Sequence, residues 1–204
     1  GRGKLFSSEE VDKLDAFYRF TDEDGSGLPK RTLPGTNPKG AYFLRGSGHD
    51  KYGRYTESGP AYKEVVDRLV RKWKSAAEYV PTPILRTAAS KTPYGILSIG
   101  SCDGAVMEAR DRMAENGLGM EYMRVRGFPF HQDIEDFIAA HETVFVVEQN
   151  RDAQLLGLLL LETNTPREKL HSVVHYSGEP LDYRFVLSQI SNVAAEMKSN
   201  KKIA

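Results

Sequence analysis

Arg45, His49 and Arg54 lie in "GAYFLRGSGHDKYGRYTE", Gly40 to Glu57, a stretch rich in groups that recognise anions. Lys39 and Lys51 join them, and only Asp50 and Glu57 oppose. The excess is local, because the whole chain balances 28 Lys and Arg against 28 Asp and Glu. The glycines free the backbone for tight turns, and arginine offers a planar fork to carboxylate or phosphate. The stretch therefore suits an anionic substrate. It equally suits an interface loop whose arginines pair with acids on another subunit, and the residue chemistry leaves both readings open.

A second polar cluster is "VVEQNRDAQ", Val146 to Gln154. It leaves the end of an apolar run and enters a helical pattern, the place where open α/β sheets put ligands. Glu148, Asn150, Arg151 and Asp152 are its interface candidates, with Asn150 or Asp152 as the helix cap. Other patterns fail on their chemistry. "DEDGSG" (Asp22–Gly27) opens like a calcium loop, but Leu33 falls where a bidentate carboxylate is needed, so a solvated turn is expected. "GSGHDK" lacks the third glycine of a dinucleotide fingerprint and opens no helix. No Gly-Lys-Ser/Thr occurs. His171 and His175 would stand about 13 Å apart on a strand, too far for one metal. His131 and His141 bracket a helix as surface or capping residues. Cys102, where a strand turns into a helix, reads as a small packed residue.

With 204 residues and balanced charge, the chain holds one large domain or a domain with an extension, and no field favours nucleic acid or an anionic membrane. One cysteine excludes an internal disulfide and a cluster held by this chain's cysteines alone. Leu155–Leu161 is too short to span a bilayer, and no signal peptide is visible, so cytoplasm is the expected location. A start at Gly-Arg-Gly rather than Met points to part of something longer.

The elements that must position these residues follow from periodicity. Ser7 and Glu10 form a capping box for a helix expected to carry Val11, Leu14, Phe17 and Tyr18 on one side. From Ser58, Tyr62, Val65, Val66, Leu69, Val70, Trp73 and Ala77 recur at helical spacing, with Pro60 in the first turn. "PTPILRTAASKTP" reads as an extended linker. Beyond it, apolar runs at Tyr94–Gly100, Met120–Arg126, Thr143–Gln149 and Leu170–Tyr176 alternate with helical patterns. This predicts an α/β fold, a doubly wound and mostly parallel four-stranded sheet over residues 93–204. Residues 1–92 are expected to hold an irregular, glycine-rich segment, one long helix and the linker.

Three blocks, "RTLPGTNPKGAYFLRGSGHDKYGRYTE", "RVRGFPF" and "VVEQNRDAQ", resemble the alpha subunit of the 2-oxoacid:ferredoxin oxidoreductases, especially the 2-oxoglutarate branch. The similarity runs from about Leu28 to Phe185 in family order. Asn37 stands where histidine is expected, and "GSCDGA" replaces a threonine-richer turn. The resemblance implies a transketolase carboxy-terminal-like domain preceded by the tail of a pyrimidine-side domain. It implies an enzyme that uses thiamine diphosphate, magnesium and an iron–sulfur cluster to turn a 2-oxoacid and CoA into acyl-CoA and CO2, reducing ferredoxin. Diphosphate and cluster would then belong to a beta subunit, with no cofactor held by this chain alone. Arg45, His49 and Arg54 become candidates for the distal carboxylate of 2-oxoglutarate. The alternative is a docking domain without substrate contact.

Overall fold

The computed structural model describes residues 3–44 and 46–201, and these form two compact units, Gly1–Tyr79 and Val80–Ala204. The expected boundary at 92/93 therefore moves upstream. The reason is Ile84–Arg86 (β1) inside the expected linker, whose Ile84, Leu85 and Arg86 pair antiparallel with Arg124, Met123 and Tyr122.

The second unit continues with Tyr94–Ile99 (β2), Asp103–Glu115 (α3), Glu121–Val125 (β3), Gln132–Ala140 (α4), Thr143–Glu148 (β4), Gln154–Glu162 (α5), Leu170–Val174 (β5) and Tyr183–Lys201 (α6). The strand order is β1-β3-β2-β4-β5, parallel throughout except at β1. The doubly wound, mostly parallel α/β class expected from the alternation is the one observed, with five strands instead of four. Side chains alternate across the sheet as a period of two requires. Ile96, Tyr122, Phe145 and Val147 pack with Val106, Met113 and Ile190 on the face of α3 and α6. Leu97, Met123, Val144 and Val146 pack with Ile134, Phe137, Leu155 and Leu159 on the face of α4 and α5. Gly95 allows the second layer to close, because a Cβ there would lie 2.8 Å from the Phe137 ring and 3.2 Å from His141.

In the first unit Ser7 and Glu10 make the expected capping box, with Ser7 N donating to Glu10 at 2.7 Å and Glu10 N to Ser7 at 3.2 Å. The helix (α1, Ser8–Asp12) is shorter than expected. Phe17 and Tyr18 leave its line for different aromatic partners, Phe17 against Phe6 and Tyr42, Tyr18 against Tyr52. Gly59–Ala76 forms the expected long helix (α2) with Pro60 in its first turn. Of its apolar residues Val65 is the one buried below a tenth exposure. Val65 and Arg68 are buried, whereas Tyr62, Val66, Leu69 and Val70 remain 37–53% exposed. Among the described residues no helix is long and apolar enough to cross a membrane.

Candidate functional site

The stretch Gly40–Glu57 is shaped by Asp50. Its Oδ1 accepts from Tyr52 N and Arg54 N, both at 2.9 Å, and its N–H donates to Arg54 O at 2.9 Å. Gly53 supplies the positive φ of +80° that closes this turn. His49 and Tyr55 form an isolated antiparallel bridge beside it. The turn is fastened outward at several points. His49 stacks on Phe20 at 4.3 Å, Tyr52 meets Tyr18 edge-on at 4.9 Å, and Lys51 pairs with Glu64 of α2 at 3.1 Å.

Of the three candidate anion contacts, Arg45 lies outside the described residues. His49 is partly buried, with Nδ1 2.7 Å from Asp50 O. Arg54 is exposed, its guanidinium 5.5 Å from the Tyr52 ring. His49 and Arg54 are thus held by different aromatic partners. A cleft of about 550 Å³ runs along the preceding segment, lined among the described residues by Thr32, Pro34, Asn37, Gly40, Tyr42 and Leu44. Asn37 presents little to it. Its Nδ2 donates to Ser8 and Asp12, and its Oδ1 caps the Pro38–Gly40 turn through Lys39 N at 2.9 Å.

A smaller cleft, about 260 Å³, lies between the stretch and α2, lined by Phe20, Asp22, Lys51, Tyr52, Glu64, Arg68 and Arg71 among others. Here "DEDGSG" is a turn exposed at Glu23, Asp24 and Gly25, as expected, and anchored at its two ends. Asp22 has a side chain only 7% exposed, and its Oδ2 accepts from Gly27 N at 2.9 Å and Arg71 at 3.2 Å. Gly27, at φ +79°, lies so close to α2 that a Cβ would sit 2.3 Å from Lys72 N. Lys4 and Ser26 bond Asp24. Arg68 was not among the sequence candidates, although a charge three residues past Val65, on the same helix face, was a readable signal.

The second cluster is organised around Glu148, which is 1% exposed. Its Oε2 accepts from Leu155 N at 2.7 Å and Asn150 Nδ2 at 2.6 Å, and its Oε1 from Leu156 N at 3.2 Å. Asn150 Oδ1 accepts from Asp152 N and Gln154 N. Glu148 and Asn150 together satisfy the amino end of α5, where Ala153 takes a left-handed φ of 50°. Arg151 and Asp152 are exposed and pair with each other at 2.7 Å. Gln149 bridges to the β2 loop, donating to Ser101 at 2.8 Å.

The remaining titratable groups hold the sheet together. Ser98, Tyr122, Asp103 and Arg124 form a chain across β2, β3 and α3, at 2.7, 2.8 and 3.1 Å. Burial pushes the Tyr122 phenol and the Cys102 thiol up, and Cys102 is packed as expected. His131 and His141 take the N-cap and C-cap positions of α4 as expected, and His141 is buried there, within 2.7 Å of Phe137 O and 3.4 Å of Glu121. Among the described residues, no three His, Cys, Asp or Glu side chains are grouped to hold a metal ion.

No family model matches the chain. A 2-oxoacid:ferredoxin oxidoreductase 2, subunit alpha, of Aeropyrum pernix is 28% identical over 185 residues, 88% of this chain. A 2-oxoacid:ferredoxin oxidoreductase subunit alpha of Saccharolobus solfataricus is 24% identical over 140 residues, 67% of this chain. Both of these relatives are named as 2-oxoacid:ferredoxin oxidoreductase alpha subunits. The chain spans 27% and 22% of the length of these two relatives, so it matches a part of such a subunit. A solved 2-oxoglutarate:ferredoxin oxidoreductase from Magnetococcus marinus, with 2-oxoglutarate, coenzyme A and succinyl-CoA bound, shares the fold. Its TM-score is 0.78 at 21% identity, over 93% of this chain and 32% of that one. The resemblance expected from the three sequence blocks is the one found.

Proposed function

We propose that the chain works as part of the alpha subunit of a thiamine diphosphate-dependent 2-oxoacid:ferredoxin oxidoreductase. That enzyme would convert a 2-oxoacid such as 2-oxoglutarate, with CoA, into acyl-CoA and CO2, passing two electrons to ferredoxin. The observation that carries this reading is the likeness to curated alpha subunits over 88% of the chain. In it, residues 1–79 continue a pyrimidine-side domain and residues 80–204 are the transketolase carboxy-terminal-like domain.

The chain's own donors do not fit the metal groups. Its single cysteine, Cys102, is 1% exposed with a thiol pushed up by burial, the reverse of a thiolate ligand. The resemblance, in turn, implies that cluster, magnesium and diphosphate would be held by a beta subunit. What this chain contributes is position. In this reading Arg45, which lies in the sequence between Leu44 of the 550 Å³ cleft and the Asp50 turn, would pair its guanidinium with the distal carboxylate. Arg151 and Asp152, the exposed members of the second cluster, would contact a neighbouring subunit.

A second reading, docking without substrate contact, is favoured by α2, whose Tyr62, Val66, Leu69 and Val70 stay exposed on one face. Activity of the complete enzyme decides the first point. Assembled with its beta subunit, it should reduce ferredoxin or viologen only when 2-oxoacid, CoA and thiamine diphosphate are all present. Reduction that does not depend on a 2-oxoacid would overturn the assignment.

A further inference from the structure

Arg68 is a charge in the wrong place for a helix that merely packs. It is 8% exposed, and its Nη1 donates to Gly27 O at 3.2 Å. Its Nε is buried without a hydrogen-bond partner. Oδ1 of Asp22, the residue opposite, is likewise buried and unpartnered. A guanidinium taken out of water without an ion pair is destabilised, and burial accordingly lowers the affinity of Arg68 for its proton. The Asp22 carboxylate partly offsets this, but its Oδ2 is taken by Arg71 and Gly27 N, and Arg19 and Arg71 add like charge.

Both residues line the 260 Å³ cleft, together with the rings of Phe20 and Tyr52. One unpartnered donor on a cation and one unpartnered acceptor on an anion ask for a ligand that carries both complements. The Nε edge of a guanidinium is the side that a carboxylate grips. A free carboxylate oxygen takes an ammonium or hydroxyl. The lining is balanced, with Lys51, Arg68 and Arg71 against Asp22, Glu23 and Glu64, and so does not select a net anion.

The geometry points to a binding site for a small amino or hydroxy acid in this cleft, its carboxylate on Arg68 and its ammonium or hydroxyl on Asp22. Phe20 and Tyr52 would face its carbon skeleton, and the volume limits the skeleton to a few carbons. The site does not depend on the activity proposed above. It would nonetheless report to the Gly40–Glu57 stretch, because Lys51 and Tyr52 belong to both.

The test uses the full chain without partners. Heteronuclear NMR of arginine Nε–Hε groups is followed while L-glutamate, 2-hydroxyglutarate, glutarate and ethylamine are added separately. The expected result is a saturable shift of the Arg68 signal with the first two, and at least tenfold weaker binding of glutarate and ethylamine. Arg68→Lys should weaken L-glutamate at least tenfold while circular dichroism reports an unchanged fold. Asp22→Asn should remove the preference for L-glutamate over glutarate. Equal binding of all the carboxylates, with no effect of Asp22→Asn, would overturn the two-point site. So would no saturable shift at 50 mM of any probe, leaving the two atoms to an internal water. Neither outcome touches the oxidoreductase assignment, which is read by turnover of the complete enzyme.

Discussion

Glu148 shows how a side chain at a strand end can be turned inward. It closes a strand buried at all six positions, and its two oxygens receive Leu155 N, Leu156 N and Asn150. Replacing it with alanine strands those N–H groups inside the protein. The expected loss is roughly 2–4 kcal/mol, because charge-assisted hydrogen bonds go and buried donors stay. Glu148→Gln, which keeps one acceptor, should lose less, and urea denaturation of the two variants reads the difference. No loss in Glu148→Ala would mean that α5 finds other caps. The sequence made Glu148 an interface candidate, and its 1% exposure corrects that, although "TVFVVE" does not alternate and so allowed its last residue inside. Asn37 was less legible, because its amide bonds to residues 25 to 29 positions away. His171 carries a pH dependence. Burial, then Arg167, lowers its pKa, so the unfolded chain binds that proton more readily. Its share of stability is therefore present above the ordinary histidine value of about 6.5 and is lost as pH falls below it. Thermal midpoints between pH 5 and 7.5 should fall less steeply in His171→Asn than in the parent chain.

Among the elements, periodicity located the parallel strands and their helices, because a strand buried on both faces and a helix with one apolar side leave different patterns. It missed β1 because "PTPILRTAASKTP" is dominated by proline, threonine and serine, and only Ile84, Leu85 and Arg86 pair. The consequence is testable. Residues 80–204 should fold alone, whereas 93–204 should show a lower urea midpoint and a tendency to associate, since the truncation bares the edge of β3. Equal midpoints would make β1 an ornament. Gly95 tests the α4 layer in the same way. Gly95→Ala must displace the buried ring of Phe137, at an expected cost of about 1–3 kcal/mol in denaturant melts. At α2 periodicity located the helix but not its buried side, for Tyr62, Val66, Leu69 and Val70 stay exposed while Val65 is buried. The unit instead closes on Val65, Arg68 and the backbone at Lys72, because Gly27 brings a tethered turn against them.

At the scale of the whole molecule, the chain holds one part of the proposed chemistry, and its isolated form should reduce neither ferredoxin nor viologen with 2-oxoglutarate, CoA and thiamine diphosphate. The sharper question is which guanidinium meets the substrate. Arg54 rests 5.5 Å from the Tyr52 ring and Asp50 sets its backbone, so Arg54→Ala should affect stability more than selectivity. Arg45 follows Leu44, a lining residue of the larger cleft, in the sequence. In the complete enzyme, Arg45→Ala should lower kcat/KM for 2-oxoglutarate by tens to thousands of times, the equivalent of about 2–5 kcal/mol for one lost partner of a desolvated ion pair. Pyruvate has no distal carboxylate, so its turnover should change little. Equal losses for both substrates, with a complex that dissociates in the ultracentrifuge, would instead assign Arg45 to the subunit interface and favour the docking reading. A selective loss in an intact complex places the carboxylate at Arg45, because only a contact made by one substrate and not the other can separate the two rates.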